Sequence, residues 1–203
     1  NKNLTDEHVL VVNTGGRYFN HFLKLFDTNN PYTINKKIVC LTDIDPCRKK
    51  NEPDEDYEAC YPYEYNIDTA NYDYKHHADT EVAQYAAHPN IRFYRQDVTY
   101  GKTLEYDIMR ENPDCELLLT NSVSNLKEIK AMMLIVVVRA SKWKDEEKGK
   151  ALLASRYLNS VSKGSNALEL NVVLMANLDK PVADRKEFHV PQYIVDALTW
   201  LLS

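Results

Sequence analysis

"KKIVCLTDIDPCRKK", residues 36–50, carries the fold decision: an apolar run, Ile38 to Leu41, leads into two aspartates, Asp43 and Asp45, and then a proline. A run that is apolar at nearly every position is what a parallel strand buried on both faces requires. Ligand sites in open α/β sheets lie beyond the carboxyl ends of such strands, and Asp43 falls there. Two carboxylates one residue apart at such a point read either as an acidic turn or as oxygen ligands for a hard divalent ion.

Upstream, "HVLVV" at 8–12 is a β-branched run ending at "NTGG", and "YFNHFLKLF" at 18–26 sets Phe19, Phe22, Leu23 and Phe26 on one helical face. With the strand at 37–43 these predict a βαβ unit. Downstream, "YEACYPYEYNIDTANYDY" at 57–74 is almost free of aliphatics, and we read 46–78 as a long surface excursion. Its tyrosines offer flat faces for unpaired bases, but basic residues are nearly missing from it, which favours a plain surface loop. A short helix near 79–87, a strand in "NIRFYRQ", a helix from "GKTLEYDIMRENP" ended by Pro113, and a strand in "CELLLT" follow. Beyond residue 121 the apolar spacing is helical at 125–139, 145–160, 165–178 and 191–202. The expected class is α/β, with a core over 1–120 and a helical layer or subdomain over 121–203.

The 203 residues suffice for one substantial domain, and 44% hydrophobic with 27% charged residues is an ordinary globular balance. The run "AMMLIVVVRA" is too short to cross a bilayer, no secretory signal is visible, and a cytoplasmic location is the easier reading. The four cysteines show no paired CxxC spacing, which argues against a structural zinc site and a disulfide framework. A net charge of −5 gives no general pull toward nucleic acid, so DNA contact requires local basic patches or metal ions. Five glycines in all leave no glycine-rich phosphate loop.

Two further pieces can join Asp43 and Asp45. Thr103 and Glu105 follow Gly101 at a helix start, where the bland reading is an N-cap and a first-turn acid. Lys163 precedes a helix with Gly164, where it is either solvated or placed to neutralise charge on a phosphoryl group. Arg48, Lys49 and Lys50, next to the aspartates, are candidate phosphate contacts, as are Lys142, Lys144, Lys148 and Lys150.

"VLVVNTGGRYFNHFLKLF", "KKIVCLTDIDP", "GKTLEYDI" and "SKGSNALEL", in this order, resemble the Toprim catalytic domain of the OLD (overcoming lysogenization defect) family of nucleases, relatives of the nuclease subunit of Gabija anti-phage systems. The resemblance implies a Toprim-like parallel sheet flanked by helices and an endonuclease that cuts DNA with two Mg2+ or Mn2+ ions. It matches Asp43 and Asp45 to the family's Asp-x-Asp, Thr103 and Glu105 to its later hydroxyl and acid, and Lys163 to its lysine. The family's opening glutamate motif has no match in residues 1–16, and the absence of an initial Met suggests that it lies upstream. An ATP-binding domain, also upstream, is implied as well. DNA is the expected partner, with a homodimer and, by family analogy, a helicase-like protein as others, and no membrane.

Rival readings are a catalytically degenerate Toprim module that binds DNA or dimerises, and an Asp-x-Asp phosphatase of haloacid-dehalogenase type. The phosphatase normally has Thr or Val where this chain has Cys47.

Overall fold

A computed structural model of the chain describes residues 3–139 and 146–203. Lys142 and Lys144, named above as phosphate contacts, lie outside the described residues. The α/β class holds: among the described residues are seven α-helices, a two-stranded parallel sheet and a three-stranded antiparallel sheet. None of these helices is long and apolar enough to cross a membrane.

The chain forms two compact units. The first holds the stretch up to Asp43 together with His77–Arg95 and Gln192–Ser203. Its centre is the expected apolar strand, β1 (Ile38–Leu41), paired in parallel with β5 (Ile91–Tyr94) in the register Ile38 to Ile91 and Cys40 to Phe93. The ladder is extended at both ends, where the Ile38 N–H donates to Asn90 O (2.7 Å) and the Thr42 N–H to Tyr94 O (3.2 Å). Cys40, Ile91 and Phe93 are buried with Leu23 from the short helix α1 (Asn20–Leu23). Phe19 meets the Phe93 ring edge-on at 5.4 Å, and Tyr85 stacks on it at 5.5 Å. Tyr85 ends α2 (Asp79–Gln84), the helix between the paired strands.

The parallel partner of β1 is therefore not the "HVLVV" run. Residues 9–12 form no strand, and Leu10 and Val11 are 84% and 78% exposed. A β-prone run acquires a strand's hydrogen bonds only beside another strand, and none pairs with it here. The helix expected over 18–26 shrinks to the single turn of α1, although Leu23, Phe19 and Phe26 from the expected apolar face do pack on the β1–β5 cluster.

The second unit holds Ile44–His76 and Gln96–Pro191. Its first stretch, expected to be loop, instead folds into β2 (Cys47–Lys50), β3 (Glu58–Ala59) and β4 (Tyr72–Lys75), antiparallel in the order β3-β2-β4. The rest is helical: α3 (Leu104–Glu111), α4 (Leu126–Arg139), α5 (Glu146–Leu158) and α6 (Lys163–Leu178). Tyr106, Met109, Leu118, Ile129, Leu153 and Tyr157 are fully buried at its core. "CELLLT" forms a 3-10 turn, Glu116–Leu118, rather than a strand, because Leu117 and Leu118 are drawn into this helical core.

The units do not divide at residue 120. The helix α3 joins the later helices because Tyr106 and Met109 bury among them, and α7 (Gln192–Leu201) packs on β1 and β5 with Ala197 1% exposed. There the Trp200 ring lies 5.1 Å from the Lys37 ammonium and 4.9 Å from the Arg92 guanidinium, and Lys37 Nζ donates to Trp200 O (3.0 Å).

Asn112, which ends α3 one residue before Pro113, is 1% exposed and joins distant segments. Its amide donates to Ile108 O and His189 O, both at 2.8 Å, and accepts from the His189 N–H. Asn112→Ala leaves three part-buried backbone groups without their side-chain partner. The expected loss is roughly 2–4 kcal/mol of stability, read as a lower urea midpoint with an unchanged slope.

Candidate functional site

The turn after β1 is fixed by its backbone. In the second unit, Ile44 is fully buried and its N–H donates to Gln96 Oε1 at 2.8 Å, while Asp45 takes a left-handed conformation, φ 38°. Aspartate is among the residues that tolerate this region. The Asp45 N–H donates to Lys102 O at 3.1 Å, and Pro46 O accepts from the Cys60 N–H at 2.9 Å.

The segment that meets this turn is shaped by "DVTYGK", residues 97–102. Asp97 Oδ1 accepts from the Thr99 and Tyr100 N–H groups (2.8 and 3.1 Å), and the Gly101 N–H closes the turn on Asp97 O (2.8 Å). A Cβ on Gly101 would lie 2.2 Å from Gln96 Cβ and 2.7 Å from Asp97 O, so no larger residue fits there without moving the turn. Lys102 and Thr103 follow at once. Lys102 is 8% exposed. Its N–H donates to Asp107 Oδ1 (3.1 Å), and its ammonium donates to Cys60 O (2.8 Å) and lies 4.8 Å from the Tyr61 ring. Burial lowers its pKa from the ordinary lysine value, and the charge of Asp45 opposes that shift.

Thr103 stands at the N-cap position of α3, extended at φ −133°, ψ 167°. Its hydroxyl does not cap the helix: Oγ1 is buried without a hydrogen-bond partner. Glu105, in the first turn, has Oε2 buried and 3.4 Å from Lys163 Nζ, an ion pair without hydrogen-bond alignment. Lys163 opens α6, with its side chain 56% exposed. What places it is Asn166, one turn on and 3% exposed. The Asn166 amide donates to the Tyr157 hydroxyl (3.0 Å), and its Oδ1 accepts from Thr120 and Ser122 (3.0 and 3.3 Å). Burial, with the charge of Glu105 adding to it, pushes the Tyr157 phenol up to about 12.

Of the residues selected from sequence, Glu105 and Lys163 meet directly, and Asp45 meets the Lys102–Thr103 backbone. Asp43 is the last residue of the first unit's opening segment. Arg48 is committed within the antiparallel sheet: it pairs with Glu58 (3.0 Å) and Glu64 (3.6 Å) and lies 4.9 Å from the Tyr72 ring. Lys49 Nζ is 5.3 Å from the Tyr57 ring, and Lys50 is exposed. Lys102 was not selected; a lone lysine carries no signal of burial, although the Asp-to-Gly turn before it marks a fixed segment.

Asp45, Thr103 and Glu105 offer hard oxygen donors, and the unpartnered Thr103 hydroxyl suits a cation of Mg2+ type. Such an ion retains waters and takes one or two carboxylates, so these donors suit it by type, while the contacts observed are those of the Asp45 N–H with Lys102 O and of Glu105 with Lys163. Among the described residues, no three His, Cys, Asp or Glu side chains group to hold a metal ion, which leaves the set short of a two-ion centre.

The pairing of Asp45 with Lys102 has a signed pH dependence. A buried ammonium with a lowered pKa costs stability below that pKa, and the cost is relieved as pH rises through it toward the unfolded value of 10.5. Asp45→Asn removes the opposing charge and lowers the Lys102 pKa further. The variant is expected to be destabilised at pH 7 and to converge on the unmodified protein as pH approaches 10.5, measured as the difference in urea midpoint across that range.

The chain matches no family model, no curated protein and no solved structure at a significant level.

Proposed function

We propose that this chain is the Toprim-like catalytic region of a metal-dependent DNA endonuclease of the OLD type. The observation that carries the reading is the ion pair between Glu105 and Lys163, formed at the start of the same helix whose N-cap residue, Thr103, has a buried, unpartnered hydroxyl. Those three residues come from two of the separate motifs on which the resemblance rests. Thr103, Glu105 and Asp45 would hold Mg2+ or Mn2+, and Asp43 joins them on the resemblance alone. A bound ion supplies charge neutralisation at the scissile phosphate and a more acidic water. Lys163, exposed enough to reach a phosphate, would stabilise charge on the phosphoryl oxygens. Lys102 holds the Asp45 turn through its carbonyl and its ammonium.

A second reading has its own observation. Lysines accompany both acids, and the described residues contain no three-ligand group, as expected of a degenerate module that binds DNA without cutting it.

Incubation of supercoiled plasmid with the intact protein and Mg2+ or Mn2+ separates the two. The nuclease reading expects nicked or linear product that EDTA suppresses. Asp45→Ala and Glu105→Gln are expected to lower the rate by more than about a hundredfold, since even residues behind a metal ligand cost 10- to 100-fold. Full activity in Asp45→Ala rejects the site; DNA binding with no cleavage under any ion selects the degenerate module.

A further inference from the structure

We propose that the groove alongside β4 binds an unpaired nucleotide of single-stranded DNA; the choice of DNA rests on the nuclease reading, while the preference for an unpaired base does not. The tyrosines of 57–74 come from a segment nearly without basic residues, and the antiparallel sheet supplies what the segment lacks. In the β2–β4 register Arg48 faces Tyr74 and Lys50 faces Tyr72. Directly opposed residues project from the same face of a sheet, so two cations and two aromatic rings share one surface. On the other face, Lys49 and Lys75 both lie over Tyr57, at 5.3 and 3.5 Å.

The groove has a volume of about 720 Å3 and is lined by Tyr65, Tyr72 and Tyr74 with Lys49 and Lys50. This lies within the roughly 300–1,000 Å3 of small-ligand sites. Asn51, Asn66 and Thr69 add groups able to hydrogen-bond a base edge. The rings are held before any ligand arrives, which reduces the ordering cost of binding. Tyr65 stacks on His76 with centroids 4.0 Å apart and meets Tyr74 edge-on at 5.3 Å. Tyr72 is backed by Arg48, itself fixed by Glu58 and Glu64.

Charge decides which nucleotide. Glu52 and Asp73 also line the groove, and Asp73 already accepts from the Tyr57 hydroxyl at 2.5 Å. Lys49 and Asp73, directly opposed in the register, project to the Tyr57 face, and on the tyrosine face Glu52 offsets Lys50, which leaves too little net positive charge for a free polyphosphate. Stacking needs no net charge and asks only for an exposed base face, which a paired duplex hides.

The test is fluorescence anisotropy of the intact protein, in EDTA so that cleavage plays no part, with a labelled thymidine oligonucleotide of about 12 nucleotides and with the same strand in a duplex. The single strand is expected to bind at least about tenfold tighter, and Tyr72→Leu to lose about fivefold or more of that affinity, while Tyr72→Phe retains it. Lys50→Gln, at an exposed position, is expected to reduce the slope of log K against log salt by about 0.7. Equal binding of duplex and single strand, or an unchanged affinity in Tyr72→Leu together with an unchanged slope in Lys50→Gln, overturns the groove and leaves the nuclease reading standing. A protein that prefers single strands but never cuts supports the groove and removes the nuclease.

Discussion

A charge inside a protein is tolerable only when acceptors and counter-charges surround it, and in the helical unit Lys102 carries such a charge, with the buried Asp107 beside it. Its ammonium is met by the Cys60 carbonyl, the Tyr61 ring and the charge of Asp45. Its backbone is met on both sides, by Asp107 on the N–H and by the Asp45 N–H on the carbonyl. One residue thus ties together the turn after β1, the end of β3, and the entry to α3. The Thr103 hydroxyl and the Glu105 carboxylate lie where they do because the residue before them cannot move independently. Gly101 reinforces this from the other side, since its turn has no room for a Cβ.

The three-stranded sheet is held in an unusual way for its size. It has almost no aliphatic side chains, so the hydrophobic effect that normally holds a small sheet to a core is largely replaced by cations over rings. Exposed cation–π contacts contribute only about 0.5–1 kcal/mol each, but Arg48 makes one across β2 and β4 with Tyr72, and Lys49 and Lys75 make two more with Tyr57 just before β3. Cys47 and Cys60, 3% and 1% exposed, supply the apolar seal at one end. Burial raises the Cys60 thiol to about 11, so it stays protonated at neutral pH and acts as filler rather than nucleophile.

How much of this could be read in the sequence follows from where each signal resides. The strand at Ile38–Leu41 and the later helices were legible because burial on both faces, or on one helical stripe, writes itself into apolar spacing. The antiparallel sheet was not, because its alternation is tyrosine and aspartate against tyrosine and lysine, which resembles a polar loop until the strands are paired. "HVLVV" misled in the opposite direction: β-propensity without a partner strand leaves exposed side chains. Among the candidate residues, nothing in their spacing showed that Glu105 would meet Lys163 from a helix some sixty residues on or that the Thr103 hydroxyl would be buried. Lys102 was not legible either, since a lysine's burial depends on acceptors that come from residues 45 and 60. Arg48 looked available beside the aspartates, and only the fold shows that Glu58 and Glu64, from the acidic stretch, already hold it.

The charges around the site also bear on how tightly any cation would be held. Two carboxylates offered to one cation need compensating positive charge while the site is empty. Here each acid has one: Asp45 acts on the Lys102 ammonium, and Glu105 pairs with Lys163. The same lysines weaken a divalent ion, because an entering cation meets positive charge that has already compensated the carboxylates. Lys163, more than half exposed, can give way to solvent or to a phosphate at little cost, whereas Lys102 is buried and fixed at Cys60. The electrostatic asymmetry between the two lysines places the adaptable positive charge at Glu105 and the permanent one at Asp45. A cation would accordingly gain more from Glu105 and Thr103 than from Asp45, unless further acids outside this cluster join it.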